Sequence, residues 1–190
     1  MEIMSETRKR VRYLVFALFA VLAISAFLTQ LAGGLVSSTS KERSGKSALA
    51  PPIVAAGVRL TSLETDLIRR LNAERATAGL SDLVVDANLV QIARIRSSDM
   101  ATSGYFSHTS PEGQTAFTLL DQWGIPYHWA GENLARNNYP VEETVGVAIR
   151  GLMASPSHRF NILYPNYNRV GVGYAEDGSG MRFYTIVFVD

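Results

Sequence analysis

An apolar run without charges near the N-terminus most constrains how this chain can fold. No charged residue occurs between Arg12 and Lys41, and the segment 13–36 has the roughly 20 predominantly apolar residues that crossing a bilayer requires. The basic cluster just before it predicts a cytoplasmic segment over 1–12, a transmembrane anchor over 13–36 and an exported remainder. A cleaved signal peptide, which also exports the remainder, is the alternative.

The rest of the chain divides into a linker and one domain. Residues 37–60 are rich in small and polar residues and lack an apolar period, which predicts a flexible linker. The domain expected over 61–190 carries ten arginines, no lysine and fourteen acidic residues, so it has no basic surface for nucleic acid. The chain has no cysteine, which excludes disulfides and cysteine-ligated zinc, and an exported domain must then depend on its apolar core.

Apolar periodicity outlines the secondary structure of this domain. Spacings of three and four residues predict helices over 61–79, 86–104, 115–123 and 141–153. A further helix is expected to begin at Ser155-Pro156-Ser157, because proline suits a first helical turn. Strands are expected over 169–175 and 181–189, and the second is predicted to be central because it is almost wholly apolar or β-branched. Helices and strands without regular βα alternation predict an α+β layered domain.

Three polar residues lie in segments that contain glycine or proline and are expected to be loops. Binding and catalytic residues are commonly found on loops that a rigid scaffold positions. His108 lies in a loop expected over 105–113, and His158 follows the helix restart. Glu132 lies in a stretch expected to be irregular apart from a short strand at 127–130. Two imidazoles and a carboxylate are a competent ligand set for a divalent metal such as zinc, which predicts one shared site. Polar side chains satisfied separately near the surface are the alternative.

Other motifs offer less chemistry. The chain has no His-Glu-x-x-His motif, nucleophile elbow or phosphate-binding glycine loop. Ser155 and Ser157 adjoin a histidine but fit helix caps better than a nucleophile, and the third histidine, His128, is expected to be exposed. Aromatic residues near the irregular stretches predict either core packing or an apolar groove beside the polar site. They are Trp123, Tyr127, Trp129, Tyr164 and Tyr167.

Several motifs follow one another in the order of a known family. The most specific are Phe106-Ser107-His108, Ala130-Gly131-Glu132-Asn133-Leu134-Ala135, Ser155-Pro156-Ser157-His158-Arg159-x-Asn161 and Val170-Gly171-Val172-Gly173. Over about residues 62–190 the chain resembles bacterial members of the CAP superfamily, the SCP/PR-1-like secreted proteins. The resemblance implies a three-layer α-β-α sandwich, with a cleft that holds two histidines and two acidic residues in the wider family. His108, Glu132 and His158 match three of those places.

The chain departs from the family at the fourth place. In eukaryotic relatives the second acid stands three residues after a tryptophan, and the matching pair here is Leu152 and Ser155. Glu112, in the loop after His108, is the remaining candidate for a fourth oxygen. Asn161 lies one helical turn after the second histidine and is expected to line the same cleft.

These features predict an extracytoplasmic binding module. The expected ligand is a divalent metal, a lipid or a cell-envelope component, and the resemblance implies sterol and fatty-acid binding in some eukaryotic relatives. One alternative is a metal-dependent hydrolase of peptide or wall polymer, although no nucleophile is evident. The other is a structural or interaction protein whose His/Glu cluster only ties loops together. The membrane is expected as a partner through the N-terminal segment, nucleic acid is not, and the oligomeric state stays open.

Overall fold

The computed structural model describes residues 54–55 and 57–190, so the anchor predicted over 13–36 lies outside the described residues. β1 (Val54–Ala55) pairs antiparallel with β2 (Val58–Arg59). Val58 and Leu60 belong to the main core, so the linker predicted over 37–60 is wrong at its C-terminal end. Val58 and Leu60 alternate with Arg59, but three residues are too short a run to indicate a buried strand, so the sequence did not reveal this packing. No helix within the described ranges has the length and apolarity needed to cross a bilayer.

The helices of the described part begin close to the predicted positions. They are α1 (Ser62–Thr77), α2 (Ala87–Ser103), α3 (Ala116–Gln122), α4 (Thr144–Ala154) and α5 (Pro156–Ile162). α4 starts three residues later than expected, because the N–H groups of Glu143 and Thr144 both bond to the carbonyl of Pro140 in a turn. Val141, expected on the buried stripe of this helix, is therefore exposed.

Thr61 and Glu64 form a reciprocal capping box at the start of α1, where each side chain accepts from the other residue's N–H. We expect Thr61→Ala to lower the free energy of unfolding by about 1 kcal/mol, because the N–H of Glu64 loses its partner. Urea unfolding of the full-length protein measures this. Thr77→Ala, which removes an exposed hydroxyl at the other end of α1, is the control, and equal losses in both variants would contradict the prediction.

Four strands form the main sheet of the described part. β3 (Val84–Val85), β4 (Ala130–Asn137), β5 (Arg169–Glu176) and β6 (Arg182–Val189) lie in the order β3-β5-β6-β4. β3 runs parallel to β5, and the other pairs are antiparallel. β6 lies between β5 and β4, which are each as long as β6, and Phe188 is fully buried, which confirms that the last strand is central.

β4 is the element that the sequence analysis missed. The expectation of an irregular stretch with a short strand at 127–130 is wrong, since eight residues from Ala130 onward pair with β6. Glu132 and Asn133 are polar, adjacent and both buried, on opposite faces of the strand. No alternation of apolar and polar residues therefore marks β4 in the sequence.

Helices cover both faces of the sheet. α2 and α3 pack on the face of β6 that carries Val187 and Val189. α1, α4 and α5 pack on the opposite face, which carries Ile186 and Phe188. This arrangement is the three-layer α-β-α sandwich that the resemblance implied, and it leaves β4 at one edge of the sheet.

Candidate functional site

Glu132 lies at the centre of a buried ion-paired cluster. Its side chain is 1% exposed, and one carboxylate oxygen accepts a hydrogen bond from Nε of Arg96 at 3.3 Å. The other oxygen lies 2.6 Å from Nδ1 of His108. The register of β4 pairs Glu132 with Val187, so its side chain is on the face of the sheet that α2 covers. Arg96, on α2, therefore approaches it directly.

Arg96 also fixes the loop that carries His108. The guanidinium is fully buried and donates to the hydroxyl of Tyr105 at 2.9 Å and to the carbonyl of Ser107 at 2.8 Å. Tyr105 in turn donates to Asp99 at 2.5 Å. Burial, together with this bond to a carboxylate, raises the pKa of Tyr105 to about 12. The loop is thus held by charge-assisted hydrogen bonds immediately before His108.

Sequence reasoning did not single out Arg96, although the sequence contains a signal for it. The residue is three positions after Ala93 and four before Met100, two members of the apolar stripe predicted for this helix. Arginine is almost never fully buried unless it is paired. An arginine within an apolar stripe therefore indicates a buried acceptor, which here is Glu132.

His158 and Asn161 are connected to β4 by hydrogen bonds through Asn133 and the backbone of Glu132. Asn133 donates to the carbonyl of His158 at 2.9 Å. Asn161 donates to the side-chain oxygen of Asn133 at 2.9 Å and to the carbonyl of Glu132 at 3.3 Å. Burial lowers the pKa of the His158 imidazole, and the nearby charge of His108 lowers it further. His158 is therefore neutral at neutral pH.

This lowered pKa makes stability depend on pH. Once unfolded, His158 takes up a proton below about pH 6.5, whereas the folded side chain resists it. The neutral His158 side chain therefore contributes its full stabilisation above about pH 6.5, the pKa of the unfolded state. This contribution is lost as the pH falls from there towards the lower pKa of His158 in the folded protein. We expect urea midpoints between about pH 8 and pH 5 to fall more steeply for the wild type than for His158→Gln. Parallel curves would contradict this.

The remaining candidates form hydrogen bonds with residues other than Glu132. Glu112 is exposed, and the contact it makes is from its backbone N–H to the hydroxyl of Ser110. His128 is exposed as expected, with 92% of its side chain accessible, and its Nδ1 lies 3.0 Å from Oδ2 of Asp190. Ser155 occupies the N-cap of α5, but its side chain makes no capping hydrogen bond, so that part of the prediction is wrong.

The donor atoms around Glu132 suit an ion-paired network better than a divalent metal. Both carboxylate oxygens are engaged, one by the cation of Arg96 and one by His108. A metal ion bound directly by Glu132 would have to displace His108 or Arg96 and would add positive charge beside a buried guanidinium, so Glu132 as arranged is not free to act as a ligand. Within the described residues, no group of three or more metal-ligating side chains could hold an ion. Metal binding by His108, Glu132 and His158 stays a prediction.

A groove of about 330 Å³ lies between β4 and α4, beside this cluster. Ala135, Ala148 and Leu152 supply apolar surface, while Arg136 and His158 contribute polar groups. Leu152 and Ser155, which match the tryptophan and acid of eukaryotic relatives, both line it. A Cβ added at Gly151, another lining residue, would meet nothing within 4 Å.

The five aromatic residues for which the sequence predicts core packing or a groove do not line this groove. Tyr164 packs edge-on against Trp129 and Tyr167, with ring centroids 5.6 and 4.8 Å away, and Tyr167 stacks on Phe188. These rings therefore extend from the core to the surface. The apolar groove beside the polar site is instead formed by aliphatic residues and Phe106.

The α-β-α sandwich, with His108 in contact with Glu132 on the edge strand, indicates the class of this protein. Residues 68–189 match the Cysteine-rich secretory protein family, abbreviated CAP. The chain belongs to the CAP family, as its ordered motifs indicated. It is 40% identical over 120 residues to YkwD of Bacillus subtilis (strain 168), an alignment that covers 63% of this chain and 45% of YkwD.

Solved structures share the fold. An extracellular protein containing an SCP domain from Bacillus anthracis str. Ames matches with a TM-score of 0.59 and 28% identity, over 67% of this chain and 40% of that chain. An outer surface protein from Borrelia burgdorferi matches with a TM-score of 0.62 over 68% of this chain and 93% of that chain. At 15% identity the second match shows the fold alone. The chain spans less than half the length of YkwD and of the Bacillus anthracis protein.

Proposed function

We propose that this CAP domain works outside the cytoplasmic membrane as a binding module, with its ligand in the groove between β4 and α4. The observation that carries the proposal is an apolar groove of about 330 Å³ that opens beside His158 and the exposed Arg136. Small-molecule sites are concave and mostly apolar, with a few placed polar groups, and span about 300–1,000 Å³. This volume is at the lower end, so it suits one small group of a ligand.

The location outside the membrane is supported by the sequence and by relatives. The charge-free run over 13–36 follows a basic cluster, the pattern of a segment that exports what comes after it. The Bacillus anthracis protein with an SCP domain is described as extracellular. YlbC of Bacillus subtilis, 29% identical over 129 residues, is described as a membrane protein. A membrane-anchored domain is therefore favoured, and secretion after cleavage is the alternative.

The buried cluster favours a supporting role for Glu132. Arg96 and Glu132 hold the loop that carries His108, and the same loop contributes Phe106 to the wall of the groove. A network of this kind ties elements together without any ligand, which favours the loop-tying alternative for the cluster itself. The metal-dependent hydrolase is less favoured, because both oxygens of Glu132 already have partners.

Ligand retention tests the proposed site. Full-length protein in mild detergent is immobilised and exposed to separate lipid, glycan and peptide fractions of a bacterial envelope, and retained compounds are identified by mass spectrometry. Gly151→Phe fills the groove from an exposed position of α4, and Ala154→Phe adds the same ring to the same helix outside it. We expect at least one class of compound to be retained about tenfold less by Gly151→Phe than by Ala154→Phe, a difference of about 1.4 kcal/mol in binding. Equal retention of all fractions by both variants would refute the proposed site.

A further inference from the structure

We infer that the groove takes an extended peptide bearing a carboxylate, which pairs with the outer edge of β4 as an added strand. The inference rests on the proposed function, because the groove is the same, and it names the chemical class of the ligand. Three features of the described residues carry it: the direction of the peptide groups of β4, the shape of the groove and the unpaired charge of Arg136.

The peptide groups of β4 alternate between its two edges. The carbonyl of Trp129 accepts a hydrogen bond from the N–H of Asp190 at 3.2 Å, so this carbonyl points towards β6. The carbonyl of Glu132 accepts a hydrogen bond from the side chain of Asn161 at 3.3 Å, so this carbonyl points away from β6. Alternate residues of an antiparallel strand direct their N–H and C=O to the same edge. The peptide groups of Leu134 and Arg136 therefore point outward, as that of Glu132 does.

This edge is closed at one end and open at the other. At Glu132 the side chain of Asn161 donates to the outward-facing carbonyl. At Leu134 and Arg136, no side chain or loop within residues 57–190 forms a hydrogen bond with the backbone N–H or C=O. Unpaired groups on an edge strand are a template for another strand. A peptide of about four residues, some 13 Å long, would span both open positions. Main-chain hydrogen bonds would supply its affinity, as in other cases of strand addition.

The groove beside this edge suits the side chains of such a peptide. Side chains of an added strand alternate between the two faces of the sheet, and one face here opens into the groove. Small residues leave that space free, namely Ala135, Ala148 and Gly151. An apolar side chain of the peptide therefore has an apolar floor to cover, which gives specificity beyond the main-chain bonds.

Arg136 supplies the charge that selects a carboxylate. Its guanidinium lies 4.8 Å from the ring centroid of Phe106, and it forms no ion pair with any carboxylate of residues 57–190. Arginine pairs with carboxylates through parallel hydrogen bonds. An acyl chain would use the groove and Arg136 but leave the edge of β4 unpaired, and a neutral glycan would use neither the charge nor the edge. A peptide with a carboxylate uses all three.

A library of random hexapeptides with free C-terminal carboxylates tests the inference on the full-length protein in mild detergent. Two further libraries are methylated at every backbone nitrogen, which blocks both edges of the peptide, or amidated at the C-terminus without acidic residues. We expect retention of the first library, a loss of about tenfold on methylation and a loss of about tenfold on amidation. Arg136→Gln should remove the preference for the free carboxylate. Gly151→Phe should abolish retention, whereas Ala154→Phe should retain peptides like the wild type.

The outcomes separate this inference from the proposed function. Retention that is unchanged by methylation would overturn strand addition. Failure to retain any peptide, together with a lipid or glycan fraction whose retention Gly151→Phe removes, would overturn the peptide class and leave the groove as a binding site. If Gly151→Phe and Ala154→Phe retain peptides, lipids and glycans equally, both the peptide inference and the proposed binding site are overturned.

Discussion

Gly173→Ala is expected to destabilise the domain by more than about 3 kcal/mol, the upper end of the usual cost of overpacking a core. A Cβ at this position would lie 2.1 Å from the carbonyl carbon of Ala93 and 2.2 Å from the nitrogen of Arg94, both backbone atoms of α2. α2 cannot move away freely, because Ser97 donates to the carbonyl of Gly173 at 3.0 Å. Gly171 faces the same helix, with a Cβ position 2.0 Å from the carbonyl carbon of Leu89.

Urea unfolding of the full-length protein, followed by circular dichroism, measures this effect. Gly178→Ala is the matched control, since nothing lies within 4 Å of its Cβ position and its backbone is not left-handed. We expect the control to change the free energy of unfolding by no more than about 0.5 kcal/mol. A Gly173→Ala protein as stable as this control would show that α2 lies farther from β5 than described.

Glu132→Gln is expected to lower the free energy of unfolding by about 3–5 kcal/mol, because it leaves the guanidinium of Arg96 buried beside a neutral partner. Both side chains of the pair are at most 1% exposed, so water cannot replace the lost charge. The loop of His108 should loosen as well, since the histidine loses a carboxylate 2.6 Å away. Urea unfolding gives the first effect, and hydrogen exchange over residues 105–113 gives the second.

Asp66→Asn is the control for this prediction. Asp66 pairs with Arg69 and Arg70 on the surface of α1, where both arginines are largely exposed. Exposed pairs contribute about 0–1 kcal/mol, so the control should remain close to the wild type. If Glu132→Gln costs no more than Asp66→Asn, the buried cluster does not hold the cleft together.

Several elements could be predicted from the sequence because local rules decide them. Thr61 with Glu64 at the start of α1 and Gly104 after α2 are local signals, and the structure places helix ends at both. The apolar composition of β6 indicated a strand covered on both faces, as observed. The motifs containing His108 and Glu132 indicated two residues that meet, although 24 positions separate them.

The parts that could not be predicted depend on contacts between distant segments. β4 has a buried Glu132 next to a buried Asn133, and each is explained only by partners on another element. The role of Arg96 requires knowing that α2 crosses the face of β4 that carries Glu132. The groove forms between residues that are distant in sequence, such as Leu134 and Gly151, so no local pattern of apolar residues marks it.

Amide chemical-shift mapping tests most directly whether the groove between β4 and α4 is the binding site. Isotope-labelled full-length protein in mild detergent is titrated with whichever library or envelope fraction the wild type retains. We predict shifts at Leu134, Arg136 and Gly151, which line the groove, and their absence when Gly151→Phe is titrated under the same conditions. Shifts confined to other surfaces, such as the exposed rings of Trp129 and Phe160, or equal shifts in Gly151→Phe, would contradict the assignment of the groove as the site.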